Sequence, residues 1–150
     1  MCAMFKFRLE PLITIRDNIL KERQAELAKA YEARRILEES MKVVENQLAE
    51  GVETARSLMQ EGKTVNIEYL LGLREREKFL RTQQDDLLQK IKMVDEEIEK
   101  RRTAVVEANR ELKIVEKLKE KQYAKYLEEE KKKETNFMDE IARNRQVTGT

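Results

Sequence analysis

From Leu9 onward the chain repeats apolar residues at alternating spacings of three and four, the mark of a helix that buries one narrow stripe. One set of seam positions is Ile13, Leu20, Leu27, Arg34, Met41, Leu48 and Ala55. Its companion is Leu9, Arg16, Arg23, Ala30, Leu37, Val44, Gly51 and Leu58, and eleven of the fifteen are apolar. Pro11, the single proline, stands where a helix can begin, because the first helical turn has no use for its missing N–H. The pattern fails across Gln60-Glu61-Gly62-Lys63-Thr64-Val65-Asn66, where Gly62 suits a helix end and Thr64 or Asn66 suits the start of the next. A second seam runs Leu73, Leu80, Leu87, Ile91, Val94, Ile98, Val105, Ala108, Leu112, Val115 and Tyr126, interrupted by Glu77, Gln84, Arg101, Lys119 and Gln122.

Two seams joined by a short break can bury each other. The expected fold is all-α: two long helices in an antiparallel coiled-coil hairpin, the second longer and overhanging. The expected bounds are about 11–61 for the first helix, 62–66 for the turn, 67–142 for the second helix and 143–150 for a frayed tail, within a single domain of residues 1–150. At 1.5 Å per residue the helices would be roughly 75 and 115 Å long. A turn near Lys63-Thr64 sets residue i opposite roughly 128 minus i, so Leu9 falls near Lys119 and the part beyond about Tyr123 has no partner. A lone helix of that kind is marginal in water and either frays or is held by something else.

Composition narrows the function. Charged residues make up 41% of the 150, aromatics 5%, and His and Trp are absent. A long-helix protein of this kind has too little core to shape an enzyme pocket. Without His, with one Cys, and with carboxylate neighbours such as Asp85-Asp86 and Glu96-Glu97 on exposed helix, no catalytic residue, cofactor site or metal site is expected. There is no Gly-rich phosphate loop and no dinucleotide fingerprint. No apolar run is long enough to cross a bilayer, and Met1–Phe7 lacks the apolar core of a secretory signal. Met4 is a second possible start.

Charge is uneven along the chain. Residues 1–35 carry eight basic and five acidic groups, 101–133 eleven and seven, 36–100 ten and fifteen, and 134–150 two and three. In a hairpin the first two segments share the open end, which becomes basic. Lys113, Lys117, Lys121 and Lys125 form an i, i+4 row there, either a solvated face or a surface that orients the molecule against a charged partner. Gly51, Gly62 and Gly72 cluster around the turn, either as ordinary wear or as a tip that bends to dock. Tyr69, Leu70, Leu71 and Leu73 lie just past the turn. They either cap the hairpin end or present a docking surface.

Both ends carry motifs. Phe5-Lys6-Phe7-Arg8-Leu9-Glu10-Pro11-Leu12-Ile13-Thr14-Ile15-Arg16 resembles the opening of the flagellar export protein FliJ family, F-x-L-x-P-L-L-x-L-R. Glu116-Lys117-Leu118-Lys119-Glu120-Lys121-Gln122, followed by Tyr126, Glu128 and Glu129 and then by Asp139-Glu140-Ile141-Ala142 and Arg145, resembles the family's C-terminal signature. Length and hairpin organisation are similar as well.

The resemblance implies a non-enzymatic component of the flagellar type III export apparatus, a stalk-like coiled coil similar in shape to the rotor stalk of rotary ATPases. It would be cytoplasmic and peripherally associated with the inner membrane at the flagellar base. The partners it implies are the export ATPase hexamer (FliI), whose assembly and activity it would promote, the export gate protein FlhA, the ATPase regulator FliH and export chaperones. Carried onto this chain, it puts Arg8, Arg16, Lys119, Glu120, Lys121 and Gln122 at the ATPase-facing open end, and Tyr69, Leu70 and Leu73 at the gate-facing tip. Arg16 and Lys119 hold seam positions, so setting the register is an alternative role for them. Other readings are a homodimeric or tethering coiled coil, separable by mass in solution, and a nucleic-acid-binding helical arm, which would bind tightly with steep salt dependence.

Overall fold

A computed structural model describes residues 4–60, 64 and 66–149. The glycine of the anticipated turn, Gly62, and the sequence's one cysteine, Cys2, lie outside the described residues. Two helices make up the fold: α1, Glu10–Gln60, and α2, Ile67–Thr148. They pack antiparallel as a hairpin, and no strand occurs among the described residues.

Each boundary has a local cause. The backbone turns ahead of α1, with the Glu10 N–H donating to the Phe7 carbonyl at 3.2 Å and the Leu12 and Ile13 N–H groups both donating to Leu9. Pro11 is the second helical residue, inside the turn whose N–H groups have no helical acceptor. Asn66 caps α2: its side-chain oxygen accepts the Glu68 N–H at 3.0 Å, and its carbonyl accepts Leu70 N–H. The α2 helix continues past Ala142 to Thr148, through the segment expected to fray. Nothing between 142 and 148 breaks a helix, Arg145 places a cation in the last turn, and Thr148 Oγ1 donates back to the Asn144 carbonyl at 3.0 Å. Gly149 then closes it, its N–H donating to Arg145 at 3.1 Å.

The chain clusters into two compact units. The first joins Met1–Glu22 with Val106–Thr150 and the second is Arg23–Val105. In the terminal unit the core is Phe7, Leu20, Ala108, Leu112 and Val115, all buried. Its cross-helix ion pairs are Arg16 with Glu111 and Lys119 with Glu10, the latter at 2.7 Å. Residues of α2 beyond Tyr126 have no α1 segment beside them in this unit, and Leu127, Phe137, Met138 and Val147 are exposed.

In the central unit the buried residues are Ala30, Met41, Val44, Leu80 and Ile98. Arg34 reaches across to Asp95, with Nε 2.7 Å from Oδ1, and along its own helix to Glu38. The Arg34 Nε is shielded from solvent and its N–H points off the line to Asp95, so the contact is an ion pair rather than an aligned hydrogen bond. Arg101 donates to the Glu26 carbonyl at 2.5 Å and pairs with Glu97. In both units the residue numbers of these cross-helix pairs add to within one of 128. That is the register expected from the position of the turn.

Candidate functional site

The residues singled out at the two ends of the hairpin fall within separate units. In the terminal unit, the chain ahead of α1 is fastened by aromatic contacts. The Phe5 ring sits 5.3 Å from Tyr123 and 5.5 Å from Tyr126, tilted by 60° and 42°, within the range of favourable aromatic pairs. Phe7 is buried beside it, 7% exposed. These contacts carry the paired region to Tyr126 instead of ending it near Tyr123. The heptad rule could not locate them, because residues 5–7 precede the helix and follow no helical period. The signal was available in another form: two aromatics ahead of Pro11, and two tyrosines about as far from the turn on the other side.

The six residues carried over to the open end divide into two groups. Arg16 and Lys119 are half-buried at seam positions and are engaged by Glu111 and Glu10. A long basic side chain there lays its apolar stem along the seam and brings its charge to the rim, where the opposite helix supplies a carboxylate. Arg8, Glu120, Lys121 and Gln122 are exposed, and no ion pair engages them among the described residues. The geometry therefore makes Arg16 and Lys119 part of the hairpin's own register and leaves the other four free to meet something else.

In the central unit, an open groove of about 770 Å³ lies between the end of α1 and the start of α2. Tyr69, Leu70 and Leu73 all line it, together with Val52, Ala55 and Met59 from α1. Leu70 and Leu73 are half-buried and continue the seam, whereas Tyr69 is 51% exposed. Leu71, part of the same apolar cluster, is exposed as well, and so are Ile67 and Met59, which were not among the residues singled out. Their signal was present in the sequence as an apolar run off the seam on both sides of the turn. Gly51 and Gly72 are helical, and a Cβ at either would meet nothing within 4 Å.

Among the described residues no group of His, Cys, Asp and Glu could hold a metal ion, and no helix is long and apolar enough to cross a membrane. Resolved shifts in ionisation occur at Glu32 and Arg35, an exposed pair on α1. The Arg35 hydrogen bonds hold the Glu32 carboxyl below the usual range, and Glu32 in turn raises the guanidinium. Both side chains are more than half exposed, so the shifts describe a surface ion pair.

No curated protein and no solved structure matches this chain. A family model described as "Flagellar FliJ protein" matches residues 5–147. The match begins at Phe5, the ring that fastens the terminus, and takes in both end motifs and the whole of the paired seam. On that coverage, the chain belongs to the flagellar FliJ family.

Proposed function

We propose that this member of the flagellar export machinery acts as a stalk, engaging the export ATPase through its terminal unit and the export gate through the groove beside its turn. Family membership makes it a flagellar export component. The finer assignment rests on one observation above all: of the residues shared with the family's end motifs, Arg8, Glu120, Lys121 and Gln122 stand exposed and without an ion pair among the described residues, on a terminus held by aromatic contacts and the Lys119–Glu10 pair. Side chains that contribute nothing to the hairpin's own packing are available for a partner.

The mode of action is mechanical. A hairpin seated in a ring of ATPase subunits contacts some subunits differently from others, and binding to the hexamer in preference to the monomer promotes assembly by mass action. Tyr69, Leu70 and Leu73 would seat a partner's apolar group, linking the ring to the gate protein FlhA. FliH and export chaperones are further partners, and the setting is the cytoplasmic face of the inner membrane at the flagellar base.

The test is titration of the purified protein into the export ATPase of the same organism, following ATP hydrolysis and hexamer formation. Both should rise to saturation. Arg8→Ala combined with Gln122→Ala should lower the stimulation several-fold with helicity and melting temperature unchanged. Arg16→Ala is a poorer probe, because it also removes the Glu111 pair and so disturbs the hairpin itself. Full stimulation by the Arg8→Ala/Gln122→Ala protein would remove the terminal unit from the ATPase contact. No stimulation by the wild type would leave a gate or chaperone adaptor.

A further inference from the structure

The outward face of α2 in the terminal unit carries a stripe that the seam does not use and that meets the open-end group only at Lys121. At 3.6 residues per turn, Arg110, Lys113, Lys117, Lys121 and Lys125 fall on the side of the helix opposite Ala108, Leu112 and Val115. All five are exposed, and none makes an ion pair among the described residues. Elsewhere Arg16, Arg23, Arg34, Arg35, Arg81 and Arg101 each hold a carboxylate, and the unpaired cations, such as Lys42, Lys92 and Lys100, do not form such a row. Aliphatic side chains are interleaved with the cations, Val106 at 65% exposure and Ile114 at 61%, with Leu118 at the edge. Glu107 and Glu120 stand at the margins, and Glu128 falls on the same line and ends it.

We infer that this stripe is a docking surface for an anionic phospholipid bilayer, on which the α2 segment 106–125 lies flat with α1 turned away. Charge complementarity selects the occupant. A row of unpaired cations with one-turn spacing matches a field of mobile phosphates rather than one fixed carboxylate. Four of the five are lysines, compact point charges on long stems, where a rigid carboxylate partner would favour the arginine fork. Their stems can run along the headgroup layer while Val106 and Ile114 reach the acyl boundary, the arrangement of an interfacial helix. Nucleic acid fits less well, since a single strand would look for aromatic platforms and the stripe has none; Tyr123 is occupied by Phe5. The inference deepens the membrane setting of the proposed function and rests on that part of it alone; Lys121 is common to this surface and the ATPase-facing one.

The experiment is flotation of the full chain with vesicles, in the absence of any ATPase. Binding is expected to mixed phosphatidylglycerol–phosphatidylcholine vesicles and not to pure phosphatidylcholine, and should be lost when salt shortens the screening length to a few ångströms. Reversing Lys113, Lys117 and Lys125 to Glu should weaken partitioning by about tenfold or more. Reversing Lys131, Lys132 and Lys133, which lie beyond Glu128, should change it far less. Circular dichroism checks that each charge-reversed protein keeps its helicity, and the comparison is read from proteins that do. Ile114→Ser should lower vesicle binding while leaving any weak binding to single-stranded DNA as it was. Absence of vesicle binding, equal loss in the two charge-reversed proteins, or DNA binding tighter than vesicle binding would each overturn the assignment. Loss of vesicle binding with retained ATPase stimulation would confirm that the two surfaces are separate.

Discussion

Arginine at a seam position is a choice the heptad pattern cannot interpret alone. Arg16, Arg34 and Arg101 all interrupt the apolar stripe, and all three find an acceptor on the opposite helix: Glu111, Asp95 and the Glu26 carbonyl. Such pairs contribute little stability, since their side chains stay one-third or more exposed or are shared with neighbours. Their value is positional, because a slip by one heptad would separate each cation from its acceptor. Glu32 and Arg35 show the contrasting case on the outer surface of α1. Arg35 Nε and Nη2 donate to the two Glu32 oxygens at 2.9 and 2.6 Å, and that fork holds the carboxylate in its charged form. A carboxyl depressed in the folded state stabilises above its unfolded range, and this contribution fades as pH falls through the folded value. In Arg35→Ala, carboxyl-detected NMR titration should find Glu32 moved up towards the ordinary glutamate range. An unmoved titration would mean that Arg35 does not control this group. The stability change should be small, because the pair is fully exposed.

At the scale of the helices, most of the architecture was legible. Thirteen of the fifteen α1 seam positions are buried or half-buried, the exceptions being Leu9 and Arg23. Of the second seam and its polar interruptions, Gln122 alone is exposed. Periodicity reads this well because a coiled coil is held by one repeated contact, and the turn fixes which contact meets which. The two ends of the helices were less legible for opposite reasons. Ahead of α1, Phe5 and Phe7 pack without a helical period; past Ala142, a polar composition suggests fraying although no residue stops the helix before Gly149. The glycines near the turn offer a test at this scale. Gly51 and Gly72 sit inside helices with free space where a Cβ would go, so their cost is purely conformational. Gly51→Ala and Gly72→Ala should each stabilise by about 0.5–1 kcal/mol in urea denaturation, and the two should add. A destabilisation would mean that the helices there need the flexibility of glycine. If the groove must flex to admit a partner, the same substitutions should weaken gate binding while raising stability.

For the molecule as a whole, the decisive question is whether the seam is satisfied within one chain. A parallel or antiparallel dimer could bury the same stripe, and the heptad pattern alone does not distinguish the cases. In the hairpin each cross-helix pair joins a residue of α1 to a residue of α2 at the register a turn within the chain requires, so the stripe is covered without a second copy. With most seam positions already buried within the hairpin, a second copy would gain the exposed residues of the groove and of α2 beyond Tyr126, and isolated ones between them such as Ile36, Val43, Phe79, Leu88 and Met93. These are scattered at half-exposure or more and do not continue the heptad as a uniform stripe, which is too little for a stable coiled coil. The protein should therefore sediment as a single chain of 17.8 kDa. Its thermal midpoint should be the same across a hundredfold range of concentration, whereas a midpoint rising with concentration would signal a dimer. The site assignments are less legible than the fold for a related reason. Packing repeats along the chain and can be read by its period, whereas a partner's surface is recorded only in side chains the hairpin does not need. Arg8 became a candidate through kinship, Lys121 and Tyr69 through a lysine row and an apolar cluster to which kinship gave a role, and the structure separates Arg8 and Lys121 from Arg16 and Lys119, whose charges the hairpin itself engages. A monomeric melt would leave the unengaged residues without a partner inside the molecule or in a second copy. The search for one would then turn to the export machinery.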